Sequence, residues 1–113
     1  MISKELLSEV IGVDVRYMSD EYDGNLVPYE TREGWKTINI YELAHKCKEW
    51  ALGYELGYEI ETKLYSIDGD IFPFANIYYR NNKSKSVDTI TTTEPEAIFK
   101  ACQWILEQKE NNG

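Results

Sequence analysis

The stretch that decides the fold is residues 58–80, which read YEIETKLYSIDGDIFPFANIYYR. Two runs rich in β-branched and aromatic residues, 58–67 and 71–80, flank the triplet Asp68, Gly69 and Asp70. A turn-forming triplet between two such runs predicts a β-hairpin. The polar residues after it predict a second turn into a third strand over 87–92, and connections this short make all three strands antiparallel.

Helix-start signals lie on both sides of the predicted hairpin. Asn39 with Glu42 three residues later forms a capping-box pattern, and Thr93 with Glu96 repeats it. Apolar residues at helical spacing follow each pattern. The sequence therefore predicts one helix before the three strands and another after them.

The N-terminal third contains weaker signals of the same kinds. A short helix is predicted over residues 4–11, where an apolar stripe ends at Gly12. Residues 13–18 and 25–31 are predicted to pair as a second hairpin. Pro28 lacks a backbone N–H, so we expect its strand to lie at a sheet edge.

Together these elements predict a single α+β domain over residues 1–113, with a helix and hairpin in 1–34 and a helix, three antiparallel strands and a helix in 38–109. The expected order is α-β-β-α-β-β-β-α. Short connections favour one antiparallel sheet of about five strands with the helices packed on one face.

The charge balance limits the partners that the chain can attract. Twenty acidic residues against twelve basic ones give a formal net charge of −8. Such a chain repels nucleic acid at long range and suits a basic or neutral protein partner, although the same charge also promotes solubility.

The compartment is expected to be the cytoplasm, with no membrane partner. The opening residues MISKELLSEVIG lack the unbroken apolar run of a signal peptide, and no stretch approaches the roughly 18 apolar residues of a membrane span. Cys47 and Cys102 lie on the apolar sides of the predicted helices and are expected to be reduced core thiols. The sequence carries no glycine-rich phosphate loop, paired CxxC or HExxH motif, so no cofactor is expected.

Residues 38–51, INIYELAHKCKEWA, and 93–109, TEPEAIFKACQWILEQK, are separated by the aromatic-rich hairpin. This arrangement resembles small uncharacterised proteins of bacterial phages and prophages, nearest to the phage sandwich-domain family, in which helices cover a sheet. The resemblance implies an accessory product of a mobile element, a group that includes inhibitors of host defence systems and other small binding proteins. It implies no catalytic residues.

The densest acidic cluster is the candidate interaction surface. It consists of Asp20, Glu21, Tyr22 and Asp23, in the predicted turn before Gly24. A tyrosine among carboxylates is suited to anchoring a protein partner. A solvated hairpin tip is the alternative interpretation.

Two other groups of residues have the composition of metal sites. Glu42, His45 and Glu49 share one helix face, but a solvated face is the favoured interpretation because the last predicted helix supplies no histidine. Asp68 and Asp70 are sufficiently explained by a tight turn, because the further oxygen ligands of a calcium loop are absent.

One locally basic, aromatic segment is the candidate for a nucleic-acid contact. It contains Tyr78, Tyr79, Arg80, Lys83 and Lys85. Strand alternation is expected to place the two tyrosines on opposite faces, so at most one of them joins the basic residues.

The first functional hypothesis is a non-enzymatic protein that binds a host or phage protein through an acidic, tyrosine-bearing surface. The alternative is a small-ligand or catalytic domain on the open face of the sheet, where Tyr65, Tyr79 and neighbouring carboxylates line a shallow site. A nucleic-acid module is the weakest hypothesis. An exposed strand edge could also pair two copies of the chain as a homodimer.

Overall fold

The computed structural model describes residues 2–19, 21–54, 57–80, 83–87 and 93–112. The predicted α+β class is confirmed, but the single five-stranded sheet is wrong, because the strands form two antiparallel sheets of three. The observed order is α-β-β-β-α-β-β-β-α. The elements are α1 Lys4–Ile11, β1 Tyr17–Met18, β2 Leu26–Thr31, β3 Gly34–Asn39, α2 Ile40–Gly53, β4 Glu59–Ile67, β5 Asp70–Tyr79, β6 Lys83–Val87 and α3 Glu94–Asn112.

The first sheet, in the order β1-β2-β3, corrects two predictions. β1 contains two residues instead of the six predicted, and β3 was not among the predicted strands. β2 is the central strand, so the expectation that Pro28 marks an edge is wrong. Pro28 is accommodated because the β1–β2 pairing ends at Met18 and Tyr29. Its carbonyl accepts the N–H of Ser19 at 3.2 Å, a contact that needs no N–H from the proline.

β3 follows β2 through the two-residue connection Arg32-Glu33. Its side chains do not alternate between core and solvent, because Trp35, Lys36 and Thr37 are all exposed and Ile38 is buried. The period-2 pattern that identifies a half-buried strand is therefore absent. β3 is held in place by its hydrogen-bond ladder with β2. No local pattern in the sequence indicates that ladder.

The second sheet, in the order β4-β5-β6, confirms the predicted hairpin. β4 and β5 pair without interruption from Glu59 opposite Tyr78 to Ile67 opposite Asp70. Asp68 and Gly69 connect them with φ angles of 52° and 87°. Two positive φ angles define a type I′ turn, whose twist matches that of the strands. The predicted position of the third strand is wrong, because β6 begins at Lys83, within the polar residues that were expected to form a turn. Residues 88–92 of the predicted strand lie outside the described residues.

The predicted helix starts are confirmed. Asn39 Oδ1 accepts the backbone N–H groups of Tyr41 at 2.8 Å and Glu42 at 3.4 Å. Thr93 Oγ1 accepts the N–H of Glu96 at 3.3 Å. Each side chain pairs N–H groups that have no partner inside the helix, which stabilises the helix start.

The core lies between the helices and one face of the second sheet, and it also includes Val27, Tyr29 and Ile38 of the first sheet. α2 and α3 pack against each other, and Cys102 Sγ lies 3.5 Å from the carbonyl oxygen of Cys47. Both cysteines are buried free thiols, as predicted. A hydrogen bond with Cys47 and burial raise the pKa of the Cys102 thiol, which keeps it protonated.

β4 runs along α3 from the later turns of the helix towards its start. The ring of Tyr58 lies 6.4 Å from that of Trp104, and Thr62 Oγ1 donates to Glu94 Oε1 at 2.6 Å. Glu94 is the first residue of α3, so the hairpin beyond Thr62 passes the start of that helix. We refer to residues 63–74 as the hairpin arm.

Two leucines of α2 test this placement of the core. Leu43 is 0% exposed and Leu52 is 59% exposed. We expect Leu43→Ala to lower the free energy of unfolding by about 2–5 kcal/mol, because it leaves a cavity. Leu52→Ala, the matched control, is expected to change it by about 0.5 kcal/mol or less. Urea denaturation of both variants measures the difference, and equal losses would contradict the described orientation of α2.

Candidate functional site

The face of the second sheet opposite the helices carries a cluster of apolar side chains. Residues directly opposite each other in a ladder share a face, and alternate residues share it along each strand. The register therefore places Tyr65 beside Phe72, with Phe74 and Ile67 on the same side. We call Tyr65, Ile67, Phe72 and Phe74 the open-face patch.

The rings of the open-face patch pack on one another in fixed geometry. The centroid of Tyr65 lies 6.1 Å from that of Phe72 and 5.0 Å from that of Phe74, the latter edge to face. Both separations are typical of favourable aromatic pairs. A shallow depression of about 480 Å³ opens beside them, lined by Tyr65, Ile67, Phe74, Ser86 and Val87.

The hairpin arm exposes apolar side chains on both of its faces. Leu64 is 69% exposed and Ile71 is 67% exposed on the helix side, while Ile67 is 46% exposed on the open side. Contiguous exposed apolar surface on a protein marks an interaction site more often than scattered single residues do. The exposed apolar side chains of the arm therefore make it a candidate surface for contact with another molecule.

Charged residues surround the open-face patch, and most are acidic. Glu59, Glu61 and Asp70 share its face by register, and Asp68 lies at the tip of the turn. Lys63 is the basic residue among them, and its Nζ lies 3.6 Å from Glu61 Oε1. The rim of the patch is therefore net negative, like the chain as a whole.

Two polar side chains on this face, Ser86 and Asn76, are hydrogen-bonded to each other. Ser86 Oγ donates to Asn76 Oδ1 at 2.8 Å. An amide oxygen cannot act as a general base, so this contact does not activate the hydroxyl as a nucleophile. The arrangement favours apolar contact over chemistry at this position.

The predicted acidic cluster is placed differently from the open-face patch. Asp20 lies outside the described residues. Glu21 and Asp23 are exposed, but the Tyr22 hydroxyl donates to Glu96 Oε1 at 2.9 Å and its ring packs against the core. Tyr22 therefore attaches this segment to α3 and does not project as an anchor for a partner.

The environment of Tyr22 alters its ionisation. Partial burial, the hydrogen bond to Glu96 and the charge of that carboxylate all raise the pKa of the Tyr22 hydroxyl above its usual value. Each of them disfavours a phenolate beside an ionised carboxylate. The contact therefore needs a neutral tyrosine.

The other predicted groups lie apart. His45 Nε2 lies 3.4 Å from Glu49 Oε1, and both side chains are exposed. Within the described residues, no cluster of three or more histidine, cysteine, aspartate or glutamate side chains is arranged to hold a metal ion. Asp68 and Asp70 belong to the tight turn and the strand that follows it.

Tyr78 and Tyr79 lie on opposite faces, as predicted from alternation. Tyr79 packs on the helix side, 5.5 Å from Tyr58 and 5.9 Å from Trp104 between ring centroids. The expectation that Tyr79 lines the open face with Tyr65 is therefore wrong. Sequence reasoning found Tyr65 and missed the other members of the patch, although apolar residues on both faces of the arm were a visible signal.

No protein-family model, curated protein or solved structure matches the chain. Among the described residues, no helix combines the length and the apolar character needed to cross a bilayer.

The Tyr22 contact gives a prediction with a defined dependence on pH. We expect Tyr22→Phe to lower the free energy of unfolding by about 1 kcal/mol at neutral pH, because it removes one hydrogen bond. Above the usual tyrosine pKa of 10.0, the unfolded chain loses a proton that folded Tyr22 retains, so wild-type stability falls as pH rises.

The Tyr22→Phe variant is expected to show a smaller fall over the same alkaline range. Tyr17→Phe is the matched control, since Tyr17 is 66% exposed, and should retain the wild-type profile. Denaturation across pH 7 to 11 compares the three proteins. Parallel curves for wild type and Tyr22→Phe would contradict the role assigned to this hydroxyl.

Proposed function

We propose that this chain is a non-enzymatic binding protein that contacts another protein through the open-face patch and the adjoining hairpin arm. The observation that carries the proposal is the exposure of apolar side chains on both faces of the arm, beyond the start of α3. The origin in a phage or prophage and the action on a host system stay predictions of the sequence resemblance.

The chemistry of the patch defines the partner. Aromatic and aliphatic side chains at its centre favour an apolar segment, because burying their surface contributes about 25 cal/mol per Å². The acidic rim, with Glu59, Glu61, Asp68 and Asp70, favours lysine or arginine at the edges of that segment. We therefore propose an apolar protein segment flanked by basic residues as the occupant.

This surface is acidic and carries Tyr65. It differs in position from the cluster Asp20, Glu21, Tyr22 and Asp23. Tyr65 provides a half-buried aromatic ring held by its neighbours, so little conformational entropy is lost when a partner covers it. Tyr22 has its hydroxyl committed to Glu96.

A small-ligand role on the same face is the second candidate. The depression of about 480 Å³ has the volume of many ligand sites. The Ser86 hydroxyl in its lining is already hydrogen-bonded to Asn76, which leaves the Tyr65 hydroxyl as the other polar side-chain group for directional recognition. An extended apolar surface fits a protein segment better than it fits a small polar molecule.

Selection from a random displayed-peptide library on the immobilised chain tests the proposal. We expect enriched peptides to combine aromatic or aliphatic residues with lysine or arginine. Their affinity should fall about tenfold or more for the double variant Ile67→Thr, Phe72→Thr, since central apolar contacts dominate such interfaces.

The matched control is Leu52→Gln, which removes an exposed apolar side chain from α2. It should bind the selected peptides as the wild type does, and circular dichroism should show that all variants are folded. Peptides that bind the double variant with unchanged affinity, or that lack basic residues, would contradict the proposal.

A further inference from the structure

β4 forms one edge of the second sheet and presents a long row of backbone groups. Its ladder partner on one side is β5, and within the described residues no backbone hydrogen bond reaches its other side. An open edge of this length is a template for pairing with another strand. We propose that β4 pairs antiparallel with β4 of a second copy of this chain.

The turn geometry shows which backbone groups are available for such pairing. In a two-residue hairpin the residues that flank the loop, here Ile67 and Asp70, form a hydrogen-bonded pair. Hydrogen-bonded and non-hydrogen-bonded pairs then alternate along the ladder. The N–H and C=O groups of Ile60, Thr62 and Leu64 therefore point away from β5, towards the open edge.

The side chains of β4 complement a second copy in one register. With Thr62 on the two-fold axis, Glu61 lies opposite Lys63 of the partner subunit, and symmetry repeats this pair. Ile60 then lies beside the partner subunit's Leu64, which places the 69% exposed leucine against an apolar neighbour. In each pair the two residues lie on the same face. The β4-β5-β6 sheets of the two copies therefore continue into one sheet of six strands.

Neighbouring registers lack this complementarity. Centring the pairing on Lys63 places two lysines opposite each other, which is destabilising. Centring it on Leu64 leaves Glu61 opposite the partner subunit's Ile67, with no charge pair. Opposite charges therefore select the Thr62 register among those that preserve the faces.

The inference goes beyond the proposed function and does not depend on it. Pairing through β4 places the two open-face patches on the same side of one sheet, where either could still bind a partner. Dimer formation is measured on the purified chain alone, so its failure and the failure of peptide binding are separate results.

Charge reversal with complementation tests the dimer. We expect the wild type to show twice its 13.2 kDa mass in light scattering at high concentration. Lys63→Glu and Glu61→Lys each place like charges opposite each other, and each should raise the dimer dissociation constant about tenfold or more. An equimolar mixture of these two variants restores every opposite-charge pair between copies and should recover the doubled mass.

In the mixture, residues 61 and 63 of each chain still carry like charges, so the ion pair within each chain stays broken. Recovery of the dimer would therefore report the pairs between copies. Lys46→Glu, an exposed change on α2 with the same charge difference as Lys63→Glu, is the matched control and should remain dimeric. A monomeric wild type at every concentration, single variants that stay dimeric, or a mixture that stays monomeric would each overturn the inference.

Cysteine cross-linking tests the register. In the proposed pair the two Thr62 Cα atoms lie about 5.5 Å apart, within the range that a disulfide spans. Thr62→Cys should therefore form a covalent dimer under mild oxidation, while the native Cys47 and Cys102 are buried and do not interfere. Ser66 lies opposite the partner subunit's Tyr58, so the Ser66→Cys variant should stay uncrosslinked. Cross-linking through Ser66→Cys but not Thr62→Cys would overturn the register.

Discussion

The ladder between β4 and β5 is the constraint on which the rest of this structure depends. Its uninterrupted register, closed by the type I′ turn at Asp68 and Gly69, decides the direction of every side chain in the hairpin. Ile60, Ala75 and Ile77 are thereby buried under the helices, while Tyr65, Phe72 and Phe74 lie on the other face. A slip of one residue would exchange the two sets, so the core and the open-face patch are fixed together.

The shape of the molecule explains why apolar side chains remain uncovered. Its principal extents are 42 × 38 × 20 Å, and the shortest is about the thickness of one layer of helices on one layer of sheet. A two-layer structure buries only one face of a sheet. The helix layer also begins near Thr62, where Glu94 starts α3, so the arm beyond it has less helical cover. The exposed apolar side chains Leu64, Ile67 and Ile71 therefore do not contribute to the core.

Local sequence signals predicted the elements that local physics determines. The caps at Asn39 and Thr93 and the hairpin turn depend on residues within a few positions of each other, and all were found. The division into two sheets was not found, because β3 is held by its ladder with β2 and shows no apolar alternation. The sequence could not indicate where Tyr79 and Tyr22 lie, because the packing of Tyr79 on Trp104 and the contact of Tyr22 with Glu96, 74 residues away, depend on tertiary structure.

The net charge of −8 bears on the two proposed interactions in opposite ways. Two copies of the chain repel each other at long range, and salt screens that repulsion beyond about 10 Å at 0.1 M. The Glu61–Lys63 pairs between copies act at contact distance, where screening is weaker. A basic segment, by contrast, is drawn to the acidic rim at long range, and the same salt weakens that attraction. If both proposed interactions occur, high ionic strength favours self-pairing through β4 and disfavours capture of a basic partner, so ionic strength would set the balance between them.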